Sequence, residues 1–204
     1  NDKWYLSTHK KLNADKSKWG SNETFGEKFK NVIPEDFYEN LNKDYHYMFM
    51  LTPNENNRIV CLTTNLILHI GTFDKDFNLS NDYNIGIPRP SQHSFNTFEE
   101  FVDFVENSVD IKKTQGIIIQ DPITNSNIKI LNKTYSDFSL VRNNVSSIKF
   151  RYLQIRDDEE MKIKMKELYP KHIKFFEEYE NTLWNIADKL YNSYVNRFIK
   201  KIYT

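Results

Sequence analysis

Apolar and polar positions follow one regime over roughly the first 145 residues and another after that. Residues 4–8 (Trp4-Tyr5-Leu6-Ser7-Thr8) read as a strand. Phe25, Phe29 and Val32 recur at i, i+4 and i+7, which predicts a short helix over 25–32. Pro34 suits the first turn of another short helix running through Phe37 and Tyr38. Tyr47-Met48-Phe49-Met50-Leu51 is apolar on both faces, the pattern of a central strand. A polar turn over 52–57 leads to a return strand over 58–63 and a third over 65–73, an antiparallel meander. Asn96 or Thr97 caps a helix with Glu99 and Glu100 in its first turn. Its apolar stripe is Phe98, Phe101, Val102, Val105 and Val109. Three consecutive isoleucines predict a buried strand over 116–120, then a turn over 121–127 and a second hairpin arm over 127–131.

After residue 145 the pattern predicts a last strand over 148–155 and helices over 157–168 and 170–202. Phe176, Leu183, Ile186, Ala187, Leu190, Tyr194 and Phe198 keep helical spacing in the second helix, which exceeds the usual globular length. A break is expected near Asn181, and the helix needs the sheet domain or a partner to cover it. Residues 91–97 are the most linker-like, and no internal repeat is evident. The fold class is therefore α+β: antiparallel-rich sheets over 1–150, then a helical appendage over 151–204.

Composition narrows the function classes. The 204 residues are 39% hydrophobic and 15% aromatic, enough to bury a core without disulfides or metals. Lys+Arg and Asp+Glu balance at 28 each, which removes a histone-like or cationic membrane-binding signature. The balance is global and not local: residues 1–30 carry net +3, residues 31–140 net −7 and residues 141–204 net +4. Apolar runs such as 67–70 are too short to span a bilayer. The single cysteine, Cys61, excludes a disulfide framework and a multi-cysteine zinc site, and its apolar strand reads as packing. Asn1 opens the chain on what reads as a strand in progress, so these residues are expected to be part of a longer protein.

Most catalytic signatures are absent. The five glycines are scattered, so neither phosphate-binding glycine loop is present, and no Gly-x-Ser-x-Gly elbow occurs. Histidines at 9, 46, 69, 93 and 172 lack metal-ligand spacing. One position stands out. Lys129 lies between Ile128 and Ile130 in the second hairpin arm. An unpaired ammonium in the core would be costly, so Lys129 points to solvent or into an anionic pocket. Gln115, at the start of the opposing arm, could share its face.

Several segments resemble the later motifs of covalent nucleotidyltransferases, most closely the phage-type ATP-dependent RNA ligases and their large-DNA-virus relatives. Residues 3–8, 14–19 and 21–29 resemble the region after the nucleophile motif, with His9-Lys10 where an Arg/Lys-Gly is common. Tyr47-Met48-Phe49-Met50-Leu51-Thr52-Pro53 with Asn57-Arg58-Ile59-Val60 is similar to the family's Phe-Glu-Leu…Pro…Asn-Arg-Ile-Val segment, the most specific match. Thr114-Gln115-Gly116-Ile117-Ile118-Ile119 resembles Glu-Gly-Val/Ile-Val, and the stretch from Ile128 to Tyr135 resembles Lys-x-Lys-x-x-x-Tyr. The resemblance covers about 3–150 and lacks the Lys-x-Asp-Gly nucleophile.

It implies an adenylyltransferase that seals RNA ends through lysyl-AMP and RNA-adenylate, with ATP and Mg²⁺ as cofactors. The implied setting is cytoplasmic, virus-encoded and monomeric, with RNA ends as partner and no membrane. Lys129 would be the catalytic, phosphate-contacting lysine, with Gln115 beside the nucleotide. Tyr47 or Phe49 would stack on adenine. Arg142 would contact nucleotide or RNA phosphate, and Arg58 would fix the turn. Three departures weigh against full catalysis: Met50 and Gln115 replace acids, and Leu131 replaces the second lysine. A Gln carbonyl is a poorer Mg²⁺ ligand than a carboxylate, and one cation fewer faces the triphosphate. The alternatives are an inactive nucleotide- or RNA-binding module and an interaction module built on the C-terminal helix.

Overall fold

The computed structural model describes residues 3–55, 58–80, 84–121, 123–124 and 126–202. Its contacts divide the chain into two units, Asn1–Leu140 and Val141–Thr204, each with its own core. The sequence pattern placed this division at 150.

In the first unit, helix α1 (Phe25–Lys30) starts where the chain offers a reciprocal cap. The Thr24 hydroxyl accepts from the Glu27 N–H at 3.1 Å, and the Glu27 carboxylate accepts from the Thr24 N–H at 2.7 Å. The segment before it, expected as a strand, has only a Thr8–Lys11 bridge among the described residues. Trp4 and Leu6 still pack on the core. The helix expected from Pro34 is a short 3₁₀ turn, Phe37–Asn40.

Strands β1 (His46–Thr52), β2 (Leu66–Phe73) and β3 (Leu79–Ser80) form an antiparallel sheet in that order. Within it β1 is an edge strand, not a central one, and only one of its faces is covered. Tyr47, Phe49 and Leu51 face the core formed by Phe29, Phe37, Leu41, Ile67 and Ile87, while Met48 and Met50 stand open. The return strand is 66–73, not 58–63. Asn54 explains the shift: its amide donates to the Thr63 carbonyl at 2.7 Å and its backbone N–H donates to Asn65 Oδ1 at 2.7 Å, closing a loop. Residues 56 and 57 of that loop, and with them Asn57 of the resembling segment, lie outside the described residues.

Helix α2 (Phe98–Asp103) is capped by Thr97 and continues into a π turn, Phe104–Ser108. Phe101 and Val105 of the expected stripe are buried; Phe98 and Val102 are exposed. Strands β4 (Gly116–Gln120) and β5 (Asn127–Leu131) pair as the expected hairpin, with Ile118 opposite Lys129. The hairpin is not buried. It is a two-stranded sheet, and Ile118 is 64% exposed and Ile128 61%. Helix α3 (Lys133–Arg142) follows.

The second unit is helical throughout its described residues. Helix α4 (Ile148–Ile155) stands where alternation suggested a strand. Ser147 accepts from the Phe150 N–H at 3.2 Å, and Ile148, Tyr152 and Ile155, at i, i+4 and i+7, all enter the core. Helices α5 (Glu159–Leu168) and α6 (Ile173–Tyr194) complete the unit, with a 3₁₀ turn at Pro170–His172 between them. Tyr152 stacks on Phe176 at 4.2 Å between centroids. Helix α6 runs unbroken past Asn181 and ends in a π turn, Val195–Ile199. Its proximal half buries Phe176; its distal half leaves Trp184, Leu190, Tyr191 and Tyr194 exposed, and the π turn leaves Phe198 exposed. Among the described residues no helix is long and apolar enough to cross a membrane.

Candidate functional site

The β4–β5 hairpin brings together two of the residues that the sequence singled out, Lys129 and Gln115. Lys129 Nζ donates to Gln115 Oε1 at 2.6 Å. Strand alternation alone would put Gln115 on the opposite face. Gly116 accounts for the meeting: its φ of +151° is a backbone conformation that residues with a Cβ rarely adopt, and it turns the chain at the strand's first residue. A Cβ there would lie 2.1 Å from the Ile130 carbonyl oxygen. The partner of Lys129 is a neutral amide, so the ammonium is oriented without its charge being cancelled. The pair lies on an exposed face. That combination suits an incoming oxyanion.

The hairpin is anchored by a residue that pattern reading passed over. Asn132 is buried, and its side-chain amide donates to the carbonyls of Val105 at 2.8 Å and Glu106 at 3.1 Å. Its Oδ1 accepts from the Tyr135 N–H at 3.0 Å and so caps α3. The Lys133 N–H donates to the Glu106 carboxylate at 3.1 Å. An Asn directly before a helical stretch was the available signal.

The other sequence-predicted site residues stand elsewhere. Tyr47 and Phe49 share the core face of β1. Phe49 packs edge-on against Phe29 at 5.3 Å and Phe37 at 5.8 Å, and the Tyr47 hydroxyl donates to the Asn42 carbonyl at 3.2 Å. Their rings support the sheet, while the open face of β1 carries Met48 and Met50. His69 lies beneath them, buried, with Nε2 at 3.0 Å from the Thr72 hydroxyl. Burial, then the positive charge of Arg89, holds its pKa below the usual imidazole value. Arg142 is 4% exposed. Its guanidinium donates to the carbonyls of Val145 and Ser146 and lies 6.0 Å from the Tyr169 ring. It belongs to the interior of the second unit, where its partners are these carbonyls, whereas the resemblance implied a contact with nucleotide or RNA phosphate.

A buried ion network occupies the loop after β1. The Lys28 ammonium, from α1, pairs with the Glu55 carboxylate, and Arg58 Nε donates to the other Glu55 oxygen at 2.6 Å. Burial alone would raise the Glu55 pKa; the hydrogen bonds from Lys28 and Arg58 outweigh it and lower the value. Arg58 thus braces the loop through Glu55, a partner that the sequence did not reveal.

The fit of a divalent cation can be tested on these residues. Gln115 Oε1 already faces an ammonium, Met50 offers no oxygen, and no group of three or more His, Cys, Asp or Glu side chains gathers among the described residues. The described residues of the hairpin thus offer no carboxylate set for Mg²⁺, and the charged group it presents is the Lys129 ammonium.

The molecule is thus an α+β protein with an exposed, cation-bearing hairpin. Two viral proteins are similar to it. The chain is 31% identical to the immediate-early protein ICP-46 homolog of Invertebrate iridescent virus 3 across 207 aligned residues, 96% of this chain and 46% of that protein. It is also 31% identical to the ICP-46 homolog of Invertebrate iridescent virus 6 across 230 residues, 96% of this chain and 49% of that protein. The chain spans about half the length of these curated relatives. No family model matches the chain, and no solved structure does.

Proposed function

We propose that this chain supplies the phosphate-binding hairpin of an RNA ligase-like adenylyltransferase, in a virus-encoded protein acting on RNA ends. The observation that carries the reading is the Lys129–Gln115 contact on an open hairpin, at the positions where the resemblance implies nucleotide phosphates. Lys129 would neutralise charge on the phosphates of ATP or of the adenylate as the bridging bond breaks. Gln115 would hold the ammonium in place. The nucleophilic lysine of the reaction lies outside these 204 residues in this reading.

The test is intact-protein mass spectrometry of a parent chain that carries the nucleophile motif, after incubation with ATP and either Mg²⁺ or Mn²⁺. An AMP adduct is expected, and Lys129→Ala should abolish it while circular dichroism stays unchanged. Full adduct formation by Lys129→Ala would remove Lys129 from the reaction.

A second reading, a nucleotide- or RNA-binding module without chemistry, is favoured by one specific observation: Met50, Gln115 and Leu131 stand in place of two acids and a lysine, and no group of three or more His, Cys, Asp or Glu side chains gathers among the described residues. It predicts no adduct with either metal. It also predicts RNA binding that weakens with salt, log K falling with log salt at a slope of about −0.7 per phosphate contacted on a single strand.

A further inference from the structure

Arg58 is built as more than a loop brace. Its Nε is held by Glu55 at 2.6 Å, and its guanidinium carbon lies 4.6 Å from the centroid of the Trp19 ring. These contacts fix the plane of the guanidinium from one edge and one face. Neither Nη nitrogen has a hydrogen-bond acceptor among the described residues, and the side chain is only 28% exposed. The two parallel N–H groups on that edge therefore form a fork whose orientation is already set.

Charge points the same way. The Glu55 carboxylate is shared by two cations, and the Lys28 side chain is 2% exposed. The three groups together carry one net positive charge in a largely water-excluded place. Excess charge of this kind is costly unless an anion completes it. Lys28 is turned inward on Glu55, so the charge is available only through Arg58. A further group lies nearby: the Tyr135 phenol, in α3 after the hairpin, is within electrostatic reach of Arg58, which opposes the rise that burial imposes on its pKa. The Cys61 N–H donates to the Lys112 carbonyl at 2.9 Å and ties the Arg58 loop to the turn that leads into β4.

We infer that Arg58, braced by Glu55 and Trp19, is a bidentate receptor for a terminal phosphate group, that of an RNA 5′-end or of free phosphate. A planar fork matches two phosphate oxygens, and preorganisation by the stack and the Nε contact lowers the cost of binding. The site uses none of the hairpin residues and stands whether or not Lys129 takes part in adenylyl transfer.

The test begins with the wild-type chain, so that it does not depend on a variant folding. Side-chain ¹⁵N spectra are recorded during titration with inorganic phosphate at constant ionic strength, with chloride as the matched control. A saturable shift of the Arg58 Nε–H signal with phosphate and not with chloride is expected. In parallel, fluorescence anisotropy compares one short oligoribonucleotide carrying a 5′-phosphate with the same strand carrying a 5′-hydroxyl. A preference of about tenfold for the phosphorylated end is expected, the size of one charge-assisted hydrogen-bonded contact. Arg58→Lys keeps the charge but loses the fork and should remove the preference. Lys75→Ala, an exposed lysine outside the site, should keep it. A phosphate-induced Arg58 shift without an RNA-end preference assigns the site to a free phosphate. Absence of both effects, or an undiminished preference in Arg58→Lys, overturns the inference.

Discussion

Gly116 shows how one backbone angle decides a site. With φ at +151° it lets Gln115 leave the strand's alternation and reach Lys129. A methyl group at this position meets backbone, not a movable side chain. Gly116→Ala is therefore expected to destabilise the first unit by roughly 1–3 kcal/mol, the cost of a residue held in a sparsely populated conformation, measured as a fall in thermal midpoint. Glu55 makes the complementary case for charge. Glu55→Ala strands a buried ammonium and should cost about 3 kcal/mol. Adding Lys28→Met should recover much of that loss in a double-mutant cycle by urea denaturation. The pH dependence has a fixed sign. Lys28 and Arg58 lower the Glu55 pKa in the folded chain, so its stabilisation is fully present above the unfolded carboxylate value and is lost as pH falls through the lowered one. Acid titration of stability should show this loss below pH of about 4, and Glu55→Gln should lack it.

Among the elements, local chemistry sets the boundaries and tertiary contacts set the faces. Helix α1 is short and rests on the Thr24–Glu27 box, and it carries Lys28 into the ion network. Thr24→Ala should cost about 1 kcal/mol and weaken the Lys28–Glu55 pairing, seen as a lower urea midpoint and faster amide exchange over 25–30. Such caps are visible in the chain itself: Thr24 with Glu27, and Thr97 with acids behind it. The faces were less legible. In β1 the residues 47–51 are apolar throughout, which suited a central strand, yet β1 sits at the edge and leaves Met48 and Met50 open. The three isoleucines of β4 misled in the same way, because hydrophobicity records a preference for burial and not whether a covering layer exists. The error over 148–155 was one of period. Ile148, Tyr152 and Ile155 satisfy a helix as well as alternation satisfies a strand, and Ser147 tips the balance by capping.

Over the whole chain, two separate cores organise the fold. Met165 is fully buried in the second, with Tyr152, Phe176 and Val141 around it. Met165→Ala should cost about 2–5 kcal/mol, and hydrogen exchange should accelerate first over α4 and α5. Tyr152 reports the same core: burial, the nearby Glu180 charge and its hydrogen bond push the phenol up to about 12. The long apolar stripe of α6 was plain in the sequence, as was the need to cover it. Its proximal half finds that cover within the second unit, and its distal half stays exposed.

The linear order of residues was enough for the α+β class, the hairpin over 116–131, the first helix, the Thr97 cap of the second, the long final helix, and Lys129 as the residue to follow. Each of these depends on neighbours within a few positions, where turn chemistry, capping and periodicity act. The ion network of Lys28, Glu55 and Arg58, the inward turn of Arg142, the edge position of β1 and the open faces of the hairpin depend on residues brought together from distant parts of the chain. Periodicity cannot express them, because charge pairing and burial are properties of what a side chain meets, and that is set only when the chain has closed on itself.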